Sequence, residues 1–315
     1  MTQSENAHSA AESVGEPMDR VDGRLKVTGG ALYALEQRVE HPAHAVIVTS
    51  TIAKGRVKSV DAAAATKAPG VLAVLTPENA PRLPGAQPSG GGGRPAMRVP
   101  TLLQDDLVHY NGQPIGVVVA NTLEQAMSAA RLVRVRYAAE EPVLDMATAP
   151  RNPPDQVHPL GGDRSYSRGD LDQGLRDADA RVDETYTTPL ENHNPMEMHS
   201  SIAQWENDGK LTLYESTQGI FSVRNTLART FGLKPENVLV LSPFTGGGFG
   251  SKGGAWSHEV LAAMAAKKVG RPVKLSLTRQ QMFGPVGGRP MTVQRVTLGA
   301  KRDGTLTAIR HTSTS

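Results

Sequence analysis

Five glycines lie within the eight residues from Gly246 to Gly253, in the segment TGGGFGSKGG. The flanking residues predict a strand at Asn237–Ser242, a helix from about Ser257 to Val269 and a strand at Pro272–Thr278. If the two strands pair in parallel, the loop lies at the N-terminus of the crossover helix, where unpaired amides favour an anion. Glycine lets a ligand reach the backbone, because no β-carbon intervenes. The segment therefore predicts an anion-binding loop rather than a linker.

Two common phosphate-binding motifs can be compared with this loop. A Walker A loop ends in Gly-Lys-Ser/Thr, whereas Lys252 is followed by glycine, so that motif is absent. Arg279 follows the next strand, where an NADP 2′-phosphate would be bound, and the dinucleotide pattern G-x-G-x-x-G is present in Gly248, Gly250 and Gly253. The preceding strand ends about five residues too early for the usual tight turn, and Phe249 is bulky beside a pyrophosphate. An NADP-binding Rossmann-type oxidoreductase stays an alternative.

Composition excludes several classes of protein. The chain has 315 residues, enough for two domains, a net charge of +3 and no cysteine, which excludes disulfides, thiolate zinc sites and protein-ligated iron–sulfur clusters within it. No segment clusters Lys and Arg with aromatic residues, and none has the roughly 20 apolar residues that span a bilayer. The first 20 residues lack the apolar core of a signal peptide. We therefore expect a soluble protein without a nucleic-acid or membrane partner.

The distribution of proline, glycine and polar residues divides the chain into four parts. Residues 1–20 are small and polar, and we predict that they are disordered. Residues 21–146 contain short β-branched runs and one helix pattern, and residues 166–315 contain further strands and helices. Residues 147–165 carry four prolines and no periodicity, which predicts a linker between two domains.

Turn and capping patterns fix several elements. Thr122 and Gln125 form a capping-box pattern, after three β-branched runs that predict strands at residues 44–50, 70–76 and 114–120. Alternating segments around Asp208-Gly209 and Asp303-Gly304 predict two hairpins. The last strand ends at Ser315 without an evident cover for its edge. We expect that a partner chain completes this sheet or that the chain is the front part of a longer protein.

The glycine segment resembles the GGGFGGK signature of the molybdenum-binding subunit of the xanthine dehydrogenase and aldehyde oxidase family. The likeness is greatest to the separate large subunit of bacterial three-subunit aldehyde oxidoreductases. It covers nearly everything after residue 18, in order, through the segments DRVDGRLKVTGGALYALE, KAPGVLAVLTPENAP, YNGQPIGVVVANTLEQAMSAARLVRVRYAAEEPVLD, TYTTPLENHNPMEMHSSIAQWE, LYESTQG and GGRPMTVQRVTLGAKRDGTLTAI. Together these motifs are specific to the family.

The resemblance implies an α+β fold, with an α/β-hammerhead domain at residues 21–146 and the first, incomplete part of a molybdopterin-binding domain at residues 166–315. It implies catalytic roles for Gln218 and Phe249. Gln218 would hydrogen-bond an oxygen ligand of molybdenum, and the backbone of Phe249 and Gly250 would contact the metal's oxygen ligands, so these three residues surround the metal without ligating it. The cofactor-binding residues it implies are Gln218, Gly219, Gly246, Gly247, Gly248, Phe249, Gly250 and Ser251.

The same resemblance implies the chemistry and the partners. An aldehyde is oxidised to a carboxylic acid at a molybdenum–molybdopterin cofactor, which we expect in its cytosine dinucleotide form. The pterin sulfurs hold the metal, so the protein supplies only the groups around it. Electrons leave through iron–sulfur clusters and FAD on partner subunits, in agreement with the absence of cysteine. We expect the complex in the cytoplasm, or in the periplasm if a partner subunit carries an export signal.

Three departures from the family pattern refine these expectations. Ser251 replaces a glycine of the signature and keeps a hydrogen-bond donor. Gly253 follows Lys252, where purine hydroxylases carry a glutamate, so the resemblance favours aldehydes over xanthine. The family's substrate-side arginine and catalytic glutamate belong to a second cofactor domain, for which we find no counterpart. We therefore expect the chain alone to be inactive; a non-catalytic docking module and a gene remnant are further alternatives.

A histidine-rich segment before the second domain's first hairpin invites a metal interpretation. His193, Glu197 and His199 would share one face of an extended segment, but Pro195 interrupts any helix and the spacing is not HExxH. We predict structural or cleft-lining roles for these residues.

Two further polar groups have simpler explanations. Asp105, Asp106 and His109 are expected to be solvated or to cap backbone amides. Ser257 and His258 have no acid placed to complete a catalytic triad. Ser257 is instead predicted to be the N-cap of the helix that follows.

Overall fold

The computed structural model describes residues 15–84, 102–150 and 165–315. Residues 1–14 of the predicted disordered terminus and 151–164 of the predicted linker lie outside these ranges. None of the helices in the described ranges combines the length and the apolar character needed to cross a membrane.

The elements before residue 150 are short. The strands are β1 (Ala43–Thr49), β2 (Gly55–Asp61), β3 (Val71–Leu75), β4 (Leu107–Val108), β5 (Pro114–Ala120) and β6 (Arg134–Ala139). The helices are α1 (Gly23–Val27), α2 (Ala63–Thr66) and α3 (Leu123–Ala130). The three predicted strands coincide with β1, β3 and β5, and are confirmed. The Thr122 hydroxyl accepts a hydrogen bond from the Gln125 backbone amide at 3.2 Å, and the Gln125 side-chain oxygen accepts one from the Thr122 backbone amide. The predicted capping box is therefore confirmed.

The elements after residue 165 are longer. The strands are β7 (Ala180–Thr188), β8 (Ser200–Trp205), β9 (Leu211–Glu215), β10 (Val238–Leu241), β11 (Val273–Ser276), β12 (Thr292–Ala300) and β13 (Leu306–Thr314). The helices are α4 (Leu171–Arg176), α5 (Ile220–Phe231) and α6 (Ser257–Val269). Both predicted hairpins are confirmed, with Gly209 and Gly304 at φ values of +83° and +89° in their turns.

A mixed seven-stranded sheet forms the centre of the described structure, in the order β10-β9-β8-β11-β1-β5-β3. It takes strands from both sides of the predicted linker. They join where β1 and β11 pair in parallel, with Ala43 opposite Val273. Two three-stranded sheets, β13-β12-β7 and β4-β2-β6, complete the strands of the described ranges. This mixture of sheets and helices confirms the predicted α+β class.

Helix α6 covers β8 and β11 and is buried from Ser257 to Ala266. Its run of small alanines lets the helix approach the sheet closely. Strands β10 and β11, which precede and follow the helix, run in the same direction but do not pair, because β9 and β8 lie between them. The condition considered for the loop, direct parallel pairing of these two strands, is therefore not met. A hairpin placed earlier in the chain occupies the gap, which the local sequence pattern cannot show.

The start of α6 also differs from the expectation. Trp256, not Ser257, is the N-cap residue, and its amide donates to the Glu259 carboxylate at 2.7 Å. The Ser257 hydroxyl is buried and has no hydrogen-bond partner in the described residues. The acidic residue three positions into the helix thus replaces the serine as the capping group.

Candidate functional site

The residues 245–254, called here the glycine loop, connect β10 to α6 in a backbone conformation that glycine favours. Gly247 and Gly250 have φ values of +91° and +95°. Phe249 adopts φ +53°, a left-handed conformation that costs a non-glycine residue on the order of 1 kcal/mol or more. Its side chain is 71% exposed, so no packing within the described residues explains the strain. Such strain is typical of functional loops.

Three successive amides of the loop are available to a ligand. Gly247, Gly248 and Phe249 donate no backbone or side-chain hydrogen bond to any described residue. The amides on either side are engaged, since Gly246 donates to Glu197 and Gly250 to Gln218. Consecutive unpaired N–H groups form a concave site for an anionic or oxygen-rich ligand. The structure therefore locates the donors in the loop itself.

The N-terminus of α6, expected to bind the anion, is not part of this site. Its first amide, that of Trp256, is taken by Glu259 of the same helix. The helix begins at Ser257, seven residues after Gly250. This internal capping leaves the loop amides as the better donors. Together with the separation of β10 from β11, it disfavours the Rossmann-type alternative.

Gln218 is bound directly to the glycine loop. Its side-chain oxygen accepts hydrogen bonds from the backbone amides of Gly250 at 3.0 Å and Lys252 at 3.3 Å. The backbone amide of Gln218 donates to the Lys252 carbonyl at 2.8 Å. A β-carbon on Gly248 would lie 2.4 Å from that side-chain oxygen, so only glycine permits this approach. Gly219 follows as the N-cap residue of α5. The structure thus brings Gln218 and the glycines together, while their predicted roles stay predictions.

Ser251 turns into the protein. It is 1% exposed, and its hydroxyl donates to the Gly248 carbonyl at 2.8 Å. Its carbonyl accepts hydrogen bonds from the rings of His199, at 3.2 Å, and Trp256. The predicted cofactor-binding residue Ser251 therefore uses its hydroxyl proton to shape the loop.

The Lys252 side chain points beneath the loop, where it meets Glu197. The Lys252 ammonium contacts the Glu197 carboxylate at 3.1 Å, the Glu197 carbonyl at 2.9 Å and the Ser216 hydroxyl at 2.5 Å. Burial, opposed by Glu197, lowers the pKa of Lys252 from its ordinary value. The sequence motifs give Lys252 no separate role. The sequence feature that could have indicated one is that Lys252 is the only charged residue among the small residues of 246–253.

A second buried polar cluster lies deeper, between β9 and α6. His258 Nε2 is 3.1 Å from Glu215, and His258 Nδ1 is 3.1 Å from Glu259 without hydrogen-bond alignment. Ser201 also donates to Glu215. Burial raises the pKa of both Glu215 and Glu259 to about 8 and lowers that of His258. The three groups have metal-compatible spacing, but all are enclosed and raised pKa values favour protonated, neutral carboxyls.

The sequence did not single out Glu215 or Glu259. Every second side chain of β9 points inwards, and these are Leu211, Leu213 and Glu215. Glu215 therefore occupies the position in this alternation where an apolar residue would be expected. That pattern was the available signal for a buried carboxyl, whereas the packing of α6 that buries Glu259 could not be predicted locally.

The histidine-rich segment separates into different environments. His199 is 1% exposed under the loop, and burial, reinforced by His258, lowers its pKa to about 3, so the ring is neutral. Its Nε2 therefore carries the proton that Ser251 accepts, and Nδ1 faces the Met282 sulfur at 3.3 Å. Glu197 instead lines a cavity of about 450 Å³ beside the loop. The described residues do not bring His193, Glu197 and His199 together as a metal site.

The surface of that cavity is mainly apolar, although polar side chains are among those that line it. Its lining residues are Tyr33, Leu35, Glu36, Met196, Glu197, Met198, Ser200, Gly246 and Ser276. They come from the segment before β1 as well as from the strands beside the loop. The N-terminal part of the chain therefore contributes to the walls of the site. Of the remaining sequence clusters, Asp105 caps the Leu107 amide and Asp106 pairs with Arg56.

Two family patterns match this chain, and the second begins within the predicted linker. Residues 28–141 match the aldehyde oxidase and xanthine dehydrogenase a/b hammerhead domain. Residues 150–315 match the molybdopterin cofactor-binding domain. The second match covers more than half of the chain and includes the glycine loop and Gln218.

Curated relatives extend over nearly the whole chain. It is 42% identical to the aldehyde oxidoreductase molybdenum-binding subunit PaoC of Escherichia coli K12, over 99% of this chain and 41% of that protein. It is 31% identical to the putative xanthine dehydrogenase molybdenum-binding subunit XdhA of the same organism, over 91% of this chain and 39% of that protein. The chain therefore spans about two fifths of the length of the relatives it matches.

A solved structure shows the same fold. The aldehyde oxidoreductase of Desulfovibrio gigas superposes with a TM-score of 0.76 at 27% identity, over 91% of this chain and 33% of that one. The fold, the two domain matches and the relatives agree with the resemblance seen in the glycine loop. The chain belongs to the aldehyde oxidase and xanthine dehydrogenase family and contains its molybdopterin cofactor-binding domain.

Proposed function

We propose that this chain is the cofactor-binding part of a molybdenum hydroxylase subunit that oxidises aldehydes to carboxylic acids. The observation that carries the proposal is the row of unpaired amides at Gly247–Phe249 beside the Gln218 side chain. These are neutral donors, which suit the oxygen atoms of a pterin–phosphate cofactor better than they suit a bare metal ion.

Gln218 presents a donor to the same space. Its side-chain oxygen is occupied by the Gly250 and Lys252 amides, which fixes the orientation of the carboxamide. Its Nε2 group makes no hydrogen bond within the described residues and is therefore available to an oxygen atom of a ligand. A fixed N–H donor stabilises negative charge that develops on such an oxygen, because no reorientation is needed. This supports the proposed catalytic role of Gln218.

The backbone of Phe249 and Gly250 would hold the cofactor at the exposed edge of the loop. Bound there, the molybdenum–pterin group would supply the two-electron oxidation of the aldehyde. Gly246, Gly247 and Gly248 form the loop of this proposed cofactor site, where Gly246 and Gly248 admit the Glu197 and Gln218 side chains next to the backbone. The Gly219 amide and the Ser251 hydroxyl maintain the backbone around it.

The proton acceptor for this reaction would come from outside the described residues. Four carboxylates line the cavity beside the loop or lie below it in the described ranges, and each is either buried or already hydrogen-bonded. Glu36 accepts a hydrogen bond from the Tyr33 amide. Glu197 is bound to Gly246 and Lys252, while Glu215 and Glu259 are buried. We propose that the region present in the longer relatives supplies the base and that this chain alone does not turn over aldehyde.

Partner subunits would carry the electrons away. The chain has no cysteine to ligate an iron–sulfur cluster, so any cluster would lie outside it. We propose that the clusters and FAD reside on other chains of the complex. An aldehyde substrate is favoured over a purine by Gly253 after Lys252 and by the higher identity to PaoC, 42%, than to the xanthine dehydrogenase relative XdhA, 31%. The cytosine dinucleotide form of the cofactor is part of the proposal.

The test is cofactor content followed by reconstitution. The chain is purified from a bacterial host that makes the cytosine dinucleotide cofactor, and molybdenum and released pterin are measured per polypeptide. Aldehyde-dependent dye reduction is then measured for the chain alone and after co-expression with the remaining part of a PaoC-like subunit and its partners. We expect turnover only in the second case. Tight NADP binding without molybdenum or pterin would contradict the proposal.

A further inference from the structure

We propose that Lys252 and Glu197 are a positioning pair that holds the glycine loop in its cofactor-receiving conformation. The inference rests on the proposed function, because it concerns how the same loop is shaped. Neither side chain needs to touch the cofactor for this role. Each acts through the backbone that it fixes.

Lys252 is a fully buried cation with a complete set of partners. Its side chain is 0% exposed, and its ammonium group has three acceptors within 3.1 Å: the Glu197 carboxylate, the Glu197 carbonyl and the Ser216 hydroxyl. An ammonium has three hydrogens, so each can be donated. A buried charge is costly unless it is paired and hydrogen-bonded, and this arrangement meets both requirements.

The backbone of Lys252 fixes the end of the loop. Its backbone amide donates to the Gln218 side-chain oxygen at 3.3 Å. Its carbonyl accepts hydrogen bonds from the Gln218 backbone amide at 2.8 Å and from the Thr217 hydroxyl at 2.9 Å. Lys252 is thus bonded on both its side chain and its backbone to the segment that follows β9. A shift of this residue would move the carboxamide of Gln218 with it.

Glu197 fixes the beginning of the loop. Its carboxylate accepts the Gly246 amide at 2.6 Å, and its own amide donates to the Gly246 carbonyl at 3.1 Å. A β-carbon on Gly246 would lie 2.6 Å from the Glu197 β-carbon, so the residue without a side chain is required for this contact.

The ion pair connects these two anchors across the base of the loop. The carboxylate oxygen that accepts the Gly246 amide is also the oxygen that contacts Lys252. The unpaired amides at Gly247–Phe249 lie between the two anchored ends. Loss of the pair therefore releases the segment that presents those amides, even where the rest of the fold persists.

The test measures amide exchange of the full chain in its cofactor-free form, by mass spectrometry of peptic fragments. In Lys252→Met we expect exchange of residues 244–253 to accelerate by about tenfold or more, with β5 unchanged. The control is Lys274→Met, which removes a partly buried lysine bonded to the carbonyls of Leu35 and Gln37 and to no residue of the loop. Loop exchange should stay at the wild-type rate in that control.

A double variant separates positioning from stability. Replacing both members of a buried ion pair by apolar residues often restores stability, because no unpaired charge is left. We expect Lys252→Met/Glu197→Met to regain most of the melting temperature lost in Lys252→Met, while the loop still exchanges about tenfold faster and molybdenum content falls. Recovery of slow loop exchange in the double variant would overturn the proposal, as would unchanged exchange in Lys252→Met or equal acceleration of β5.

These outcomes are independent of the proposed function. A wild-type chain without molybdenum or pterin after expression in the cofactor-producing host would count against the function only. The exchange measurements use cofactor-free protein, so they test the positioning pair in either case.

Discussion

Arg271 donates a hydrogen bond to the Asn121 side-chain oxygen at 2.9 Å, from the turn before β11 to the turn after β5. The same guanidinium donates to the His41 carbonyl at 3.1 Å, immediately before β1. One side chain from the segment after the predicted linker therefore binds residues that flank two strands, β1 and β5, of the segment before it. The central sheet is a shared structure rather than the property of either segment.

Separate expression of the two segments tests this directly. Residues 21–146 would expose the edge of β1, and residues 166–315 the edge of β11, since these strands pair with each other. We expect each segment alone to aggregate or to lack a cooperative thermal transition, and co-expression to restore one. A cooperative transition of isolated 166–315 at the temperature of the whole chain would contradict this expectation.

The side-chain carboxamide of Gln218 can be removed by mutation, and Gln113 offers a matched control. Gln218→Ala leaves the Gly250 and Lys252 amides without their acceptor, which should cost about 1 kcal/mol of unfolding free energy and reduce molybdenum and pterin content severalfold. Gln113→Ala removes a glutamine that bonds the His109 amide and the Leu107 carbonyl in another part of the structure. Chemical denaturation and metal analysis should show a similar loss of stability in both variants, with cofactor loss in the first alone.

Gly248 and Gly254 offer a second matched pair. In Gly248→Ala the new methyl group would lie 2.4 Å from the Gln218 side-chain oxygen, so Gln218 must move and its bond to Gly250 is lost. We expect a destabilisation of about 1–3 kcal/mol and reduced cofactor content. The methyl group in Gly254→Ala meets nothing nearer than 3.7 Å, and this variant should retain both properties in the same assays.

Replacement of Phe249 by glycine should affect stability and cofactor retention differently. Phe249→Gly relieves the positive φ of an exposed residue, so the unfolding free energy of the cofactor-free chain should stay the same or rise by up to about 1 kcal/mol. Cofactor retention should fall, because the loop becomes flexible where it presents its amides. His41→Gly relieves a similar φ of +46° and serves as the control. A stability loss of several kcal/mol in Phe249→Gly would show that the aromatic ring is structural.

The buried carboxyls predict a pH dependence of stability. Burial raises the pKa of Glu215 from 4.5 to about 8, so between these values the folded chain holds a proton that the unfolded chain releases. Its contribution is present below about pH 4.5 and is lost as the pH rises through about 8. The lowered pKa of His199, about 3 against 6.5, gives the opposite slope, but only below about pH 6.5.

Urea denaturation between pH 6.5 and 8 therefore isolates the carboxyl effect. We expect Glu215→Gln to make the fall of stability with rising pH shallower, by up to about 1.4 kcal/mol per pH unit. Glu236→Gln changes an exposed residue of the same type and should keep the wild-type slope. Identical slopes for wild type and Glu215→Gln would mean that Glu215 is not protonated in the folded chain.

Local patterns predicted the local structure well. The Asp208-Gly209 turn and the Thr122 cap are decided by neighbouring residues, and both are confirmed. The position of β11 beside β1 depends on residues far apart in the chain, and no short segment contains that information. The same reason explains why the sequence left open whether β10 and β11 pair.

The residues of the candidate site also fall into those that local sequence could indicate and those that it could not. Its glycines and Gln218 were recognisable from motifs, because their function depends on residue type within a short segment. Lys252, Glu215 and Glu259 acquire their properties from burial, which arises only when α6 covers the sheet. Their altered pKa values are consequences of tertiary packing, and the alternation of β9 indicates only that Glu215 points inwards.

The pairing of β1 with β11 also has a consequence in time. His41 and Arg271, which flank these strands, are 230 positions apart. At synthesis rates of roughly 5–20 residues per second, β1 emerges from the ribosome on the order of ten to fifty seconds before its partner exists. During that interval one edge of the nascent sheet has no native strand to pair with. We therefore expect translation speed and chaperone binding in this interval to influence the yield of folded protein.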